Sequence, residues 1–555
     1  MPITSGQELV RLLPLTIPLI GAVLTALAGA FVPARLRGLL VAGFAAGSLV
    51  CTLALWTDPT WSVTSQALSP LAESGLLEAT LRLESGPWTL FAALLITTTA
   101  LLASLATLGF PTSRGSAALS LLAITACLGA SASANLLTLV TCWIALDLVL
   151  LGFNAWNATS LADMGRARWR AVVSYLTALA PLFIIITQMR SAETGTDGWC
   201  SYALVVAALV RIGAYPFPYP LSSGKNPPIA SAVIAQVASI AAGGTLLARL
   251  SPGSSPVRAT MVPVLTIALL ITALLAWLTR DSDRVVRRVA ANQAVGIALA
   301  FYLAPYGDTG VAALMLVNLA LCLACIAGDS RHLPAGDGLR DLAGPLIAFA
   351  SLSGIPGTAG FAARWRLAST ALTEWGLYVP LGMALSGALI VAPLLRRART
   401  LWSQPRDERK IQSWASGTAL RAFLVLALLI AAAGLFPRAA GSIATGSLSP
   451  AVTTHPLAKG EPALATLLLV TLVVPLAGGY LGNRLWLRIP TRFVPAAAVT
   501  EETLDLDWLH RGLEWLARKA RAVLRVGARL VEGGLGTGWT LAWVLVLLFW
   551  LLGEV

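Results

Sequence analysis

Asp147 and Arg211 are the residues of this chain from which chemistry is expected, because each falls inside a run of otherwise apolar residues long enough to be a membrane helix. Asp147 lies in LVTCWIALDLVLLGF, and Arg211 opens RIGAYPFPYPL. A charge at bilayer depth costs roughly 2.5–3.5 kcal/mol on insertion scales and is kept where it has a partner or faces water. At a rise of about 1.5 Å per residue both fall near the midplane, at depths that suit an ion pair. Two readings are open: a site that moves ions, or a pair that locks helices together. Arg364, in SLSGIPGTAGFAARWRL, is a third such charge, either a cation of an ion path or a side chain snorkelling toward the interface. Gln236, Asn292 and Asn318, with Gln293, either line water or hydrogen-bond between helices.

The elements that carry these charges are interrupted. Pro216 and Pro218, followed by Pro220, each remove a backbone donor and clash with the preceding turn, so a helix through Arg211 must break and leave carbonyls open within the membrane. A second break is expected at Gly354, Pro356 and Gly360, just before Arg364. Interrupted helices at corresponding places are where transporters place ion sites, and they are a sequence trace of an inverted repeat.

The setting is a membrane. Of 555 residues, 57% are hydrophobic and only 12% charged, which leaves too little charge to clothe a water-soluble domain of this size. About sixteen apolar runs are long enough to cross a hydrocarbon core, and their length excludes barrel strands. The fold expected is all-α and polytopic. The net charge of +13 is distributed in a way that excludes nucleic acid binding. Arg35, Arg37, Arg114, Arg166, Arg168, Arg170, Lys225, Arg280 to Arg288 and Arg396 to Lys410 all fall on one side if every run crosses once. That is the positive-inside pattern of a cell (inner) membrane protein, and it puts both termini on the non-cytoplasmic side.

Four regions follow. Residues 1–87 hold two spans and an acidic outer loop, in which the alternating run from Glu78 to Glu84 suits a short hairpin. Residues 88–399 form a core of spans with short loops. Residues 400–498 hold a basic loop and accessory spans near 420–435 and 463–481. Residues 499–555 hold an amphipathic helix and a last span at 539–552. The stripe Leu509, Leu513, Leu516, Ala520, Val523 and Leu530, flanked by Arg511, Arg518, Lys519, Arg521, Arg525 and Arg529, suits a helix lying in the interface plane or strapped along a partner.

RIGAYPFPYPL, NPPIASA and GIPGTAGF resemble segments of the proton-conducting antiporter family, shared by the antiporter-like subunits of respiratory complex I, Mrp-type cation/proton antiporters and membrane-bound hydrogenases. The resemblance covers residues 88–399. It implies two inverted five-helix repeats, each with a broken helix, a polar axis that carries protons, and a lateral helix along neighbouring subunits. It places Asp147 where the family has a buried glutamate and Arg211 where it has the paired lysine. Arg364 falls at the charged position of the second broken helix. Other stations are lost: Ala241 stands at a lysine, Ala235 at a histidine, and Leu319 and Leu323 near a histidine and a lysine. Lysine can give up a proton when buried, whereas arginine keeps its charge, so Arg211 can orient water or hold Asp147 but cannot relay.

No phosphate loop, metal cluster or nucleophile–base pair is evident, so no cofactor is expected and redox or hydrolytic chemistry would belong to other chains, as in a NADH-quinone oxidoreductase-like or hydrogenase-like translocase. Cys322 and Cys325 have CxxC spacing, but without a second pair or a nearby histidine they read as small apolar residues. The expectation is an antiporter-like membrane subunit that moves protons or Na⁺ within a multisubunit complex, with its central path degenerate. A non-conducting assembly subunit is the first alternative. The membrane half of an inorganic-carbon uptake complex, favoured slightly by AAGGTLLARLSP, is the second.

Overall fold

The structure, a computed structural model, describes residues 6–34, 36–55, 62–65, 81–84, 86–107, 112–157, 197–216, 229–250, 255–303, 309–327, 339–403, 461–488, 499–501, 503–504, 512, 515, 519 and 522. The accessory span at 420–435, the last span at 539–552 and Pro218 lie outside them. The chain divides into two units, Met1–Val494 and Pro495–Val555.

Among the described residues of the first unit the apolar runs are helices, as lipid requires, since only a helix satisfies its own backbone within one segment. In chain order these are α1 (Gly6–Ala28), α2 (Arg37–Leu55), α3 (Pro87–Ala106), α4 (Arg114–Ala132), α5 (Leu136–Asn157), α6 (Asp197–Ile212), α7 (Ile229–Leu250), α8 (Ser255–Leu278), α9 (Ser282–Leu303), α10 (Gly310–Ala327), α11 (Leu339–Ser353), α12 (Ala359–Trp375) and α13 (Tyr378–Ser403). A further rod joins α14 (Glu461–Leu468) to α15 (Val474–Arg488) through a π-helical turn, Leu469–Val473. Among the described residues, nine helices are long and apolar enough to cross a membrane. The protein is a multi-pass, all-α membrane protein.

The outer loop contributes one strand pair, β1 (Ser62–Ser65) antiparallel to β2 (Leu81–Glu84), with Ser62 opposite Glu84. The alternating run forms β2 as expected, but its partner lies farther back in the chain than a hairpin confined to 78–84 would place it. The pair is tied to the end of α4, where the Ala134 amide donates to the Arg82 carbonyl at 2.7 Å.

The middle of the bundle is α7, wholly buried across its span and surrounded by α3, α4, α6, α9 and α10. Its sequence IASAVIAQVASIAAGGTLLARL explains this place, because Ala, Ser and Gly let neighbouring backbones approach where hydrocarbon offers no hydrophobic drive. By contrast α1 leaves Leu19, Ile20, Val23, Leu24 and Leu27 exposed, a face suited to lipid. Buried hydroxyls return their protons to the preceding turn, as Thr97 to Ala93, Thr245 to Ala241 and Thr272 to Ala268.

Helix C-termini are closed by arginines from other elements. Arg37 donates to the Gly29 and Val32 carbonyls after α1, and Arg249 to Ser131 near the end of α4. Arg258 donates to Tyr302 and Leu303 at the end of α9. Arg288 and Arg396 converge on the end of α8 through Leu275 and Trp277. Each places a positive charge at the negative end of a helix dipole and fills carbonyls that have no helical donor.

In the second unit Val499–Glu501 is helical, and Gly512, Trp515, Lys519 and Ala522, spaced three and four apart, are helical and exposed. That spacing is one face of a helix.

Gly243 tests the close approach of α6 and α7. A Cβ there would stand 2.8 Å from Ile212 Cγ1 and 2.9 Å from the Ala208 carbonyl oxygen and Arg211 Cβ, whereas one at Gly43 meets nothing within 4 Å. Gly243→Ala is expected to destabilise the protein by about 1–3 kcal/mol through overpacking. Gly43→Ala is expected to be neutral or slightly stabilising. Thermal unfolding in detergent distinguishes the two.

Candidate functional site

The charge pair forms. Arg211 Nη1 donates to Asp147 Oδ1, with both side chains 1% exposed. α5 delivers Asp147 and α6 delivers Arg211 on its last turn. The guanidinium also lies over the Trp143 ring, 4.8 Å from its centroid, one turn before Asp147 on the same helix. Carboxylate and indole face thus come from the i and i+4 positions of α5, and both favour the charged guanidinium.

Arg211 sits where it does because its helix stops. Gly213 adopts φ +75°, the Ala214 amide bonds the Leu209 carbonyl at 3.0 Å, and the Gly213 amide bonds the Val210 carbonyl at 3.2 Å. This is a Schellman termination with glycine at the left-handed position. The Arg211 carbonyl is filled from α7, by the Ser239 hydroxyl at 2.7 Å. Pro216, in a cis peptide after Tyr215, follows the break.

The second break repeats the backbone. Gly354 has φ +77°, the Ile355 amide bonds Ala350 and the Gly354 amide bonds Ser351, both at 3.0 Å. Here the last carbonyls, Leu352 and Ser353, are filled by Arg364 of α12, at 2.5 and 2.9 Å. The Arg364 side chain turns back onto the end of α11. Pro356 is exposed beyond the turn, and Gly360 lies buried against Ser351. A Cβ on Gly354 would stand 3.1 Å from Arg364 Nη1, so the glycine also makes room for the guanidinium.

Asn318 and Asn292 are interhelical ties. The Ser351 hydroxyl donates to Asn318 Oδ1 at 2.6 Å and accepts from the Gly360 amide at 3.1 Å, which binds α10 to both sides of the second break. The Cys322 thiol contacts the same Asn318 oxygen at 3.5 Å. The Asn292 amide donates to Leu269 O, Thr272 Oγ1 and Ser386 Oγ at 2.7–3.1 Å, joining α9 to α8 and α13. Gln236 is buried in α7, and its Oε1 meets no donor among the described residues.

Beside Arg364 lies a cavity whose space open to the centre of a water molecule is about 30 Å³. Asn292, Gln293, Ser386 and Arg364 line it with Val470 and Thr471 of the π-helical turn. Ala235, Ala241, Leu319 and Leu323 are at most 4% exposed and belong to one continuous hydrophobic cluster.

The sequence reading did not single out Trp143, Gly213, Ser239, Ser351, Ser386 or Thr471. Gly213 carried a signal, a glycine directly after the last turn of an apolar helix and shortly before proline. The polar residues carried none, since serine and threonine are scattered through all these helices.

No protein-family model matches this sequence, and no curated protein does. The fold is found among solved structures. A chain of the Mrp complex from Dietzia sp. DQ12-45-1b superposes with a TM-score of 0.70 at 15% identity, over 98% of this chain and 62% of that one. A chain of the respiratory complex I of Thermus thermophilus superposes with a TM-score of 0.61 at 18% identity, over 78% of this chain and 100% of that one. The protein has the antiporter-like subunit fold, and it spans about 62% of the length of the Mrp complex chain.

Removing one member of the pair leaves a buried charge, whereas removing both leaves an apolar site. Arg211→Leu is expected to cost about 3–5 kcal/mol, and the Asp147→Leu/Arg211→Leu double variant to regain most of it. Thermal unfolding of the purified variants measures both. Equal losses in the single and double variants would show that the pair does not act as a unit.

Proposed function

We propose that this chain is an antiporter-like membrane subunit of a multisubunit ion-translocating complex, and that its own route for protons or Na⁺ is interrupted at the centre. The fold supports the first part: solved structures with it are chains of complexes, one Mrp and one respiratory. The second part rests on one observation, the burial of the apolar side chains Ala235, Ala241, Leu319 and Leu323 at positions where the resemblance expects titratable groups. Asp147 and Arg211 are the charged station that survives, with Gln236, Asn292, Asn318 and Arg364 the remaining polar points of the expected path. Arginine holds its proton, so Arg211 orders the α5–α6 contact through Asp147 without passing a proton on.

Two five-helix repeats of opposite orientation, each with a broken helix, account for the twin glycine terminations at Gly213 and Gly354. The amphipathic segment after residue 499 is the natural strap along a neighbour, and its exposed Trp515 and Lys519, stacked at 5.8 Å, suit such a surface or the bilayer interface. The basic helix ends then face the cytoplasm and both termini the other side. Arg37 and Thr112, bonded at 3.1 Å, bring two of those ends together, and Arg396 with the end of α8 a second pair.

The test is purification from native membranes in a mild detergent, followed by native mass spectrometry. Other integral membrane subunits are expected in fixed stoichiometry with this chain. A particle with the mass of this chain alone, at the same yield, would overturn the proposal.

A further inference from the structure

Arg364 differs from Arg211 and Arg258 in how its charge is answered. Arg211 faces Asp147, and Arg258 lies 3.6 Å from Glu374. Arg364 meets only dipoles: among the described residues its partners are the Leu352 and Ser353 carbonyls, with no carboxylate within ion-pair distance. Carbonyls at a helix end carry a fraction of a negative charge, and arginine carries a full positive one that it does not release. A net positive charge therefore remains, at the wall of a cavity.

The other polar walls are neutral: Asn292, Gln293, Ser386 and Thr471. The Asn292 amide is fully engaged and fixes the Ser386 oxygen. The Ser386 hydroxyl has only a long bond of its own, 3.4 Å to the Leu269 carbonyl, and is free to turn to a better acceptor. The rod opposite passes this point as a π turn, a distortion that recurs at functional sites. A space of this size holds roughly two waters, room enough for a monatomic ion. A cation would face Arg364 with no anionic ligand to hold it. Water would fill the space but leave the charge unanswered.

We propose that the cavity formed by Arg364, Gln293, Ser386 and the π turn at Thr471 binds a small monovalent anion of chloride size as the counter-ion of Arg364. The site requires only that this cavity lie within the bilayer, and it stands whether or not the chain belongs to a larger complex.

Thermal unfolding of the purified full-length protein tests it, in sodium chloride, bromide, sulfate or gluconate at matched ionic strength. A ligand that binds only the folded state raises the Tm in a saturable way. Chloride and bromide are expected to do so, and sulfate and gluconate not. The halide shift is expected to vanish in Arg364→Gln and in Ser386→Val, and to persist in Arg364→Lys. Ser386→Val fills the cavity while leaving Arg364 on its carbonyls, so it decides the matter if Arg364→Gln does not fold. Equal Tm values in chloride and gluconate would mean that the cavity holds water only and would overturn the proposal. So would a halide shift that survives Ser386→Val.

Discussion

A helix that ends inside a bilayer leaves carbonyl groups that no water can reach, and this structure depends on how those groups are filled. Each costs several kcal/mol if left open in hydrocarbon. At both breaks the first part of the answer is the same: a left-handed glycine, Gly213 or Gly354, lets the chain turn and return two amides to the helix. The second part differs. The first break takes a neutral hydroxyl from Ser239, and its own Arg211 is left to pair with Asp147. The second takes the guanidinium of Arg364, which thereby becomes part of the helix end. The same device, an arginine on a helix C-terminus, recurs at α1, α4, α8 and α9.

The three charges fall into two separate sets of contacts. Asp147 and Arg211, both buried, pair across two helices with the Trp143 ring beside the guanidinium. Arg364 is committed to backbone and sits by a cavity of its own. Ala241 of α7 and Leu319 of α10, at positions where the resemblance expects titratable groups, are fully buried.

The sequence made the large features legible for physical reasons. Runs of apolar residues near 20 long have no other stable form in lipid, and charges at matching depth have strong cause to meet, so the helices and the Asp147–Arg211 contact follow. Prolines marked the first break, yet the backbone there turns on Gly213, which one glycine among 48 does not advertise. Arginines near helix ends read as topology signals, and their role as caps emerged only once the facing carbonyls were placed. Arg364 was ambiguous because its partners, Leu352 and Ser353, contribute backbone and not side chains. The cavity and the π turn opposite it arise from the packing of several helices and have no local sequence trace.

The central claim, that no continuous route for protons crosses this chain by itself, is most directly tested by the decay of an imposed pH gradient in proteoliposomes containing the purified protein, with a valinomycin–potassium clamp to remove electrical limits. The account predicts decay at the rate of protein-free liposomes. A faster, protein-dependent decay that Asp147→Asn abolishes would contradict it.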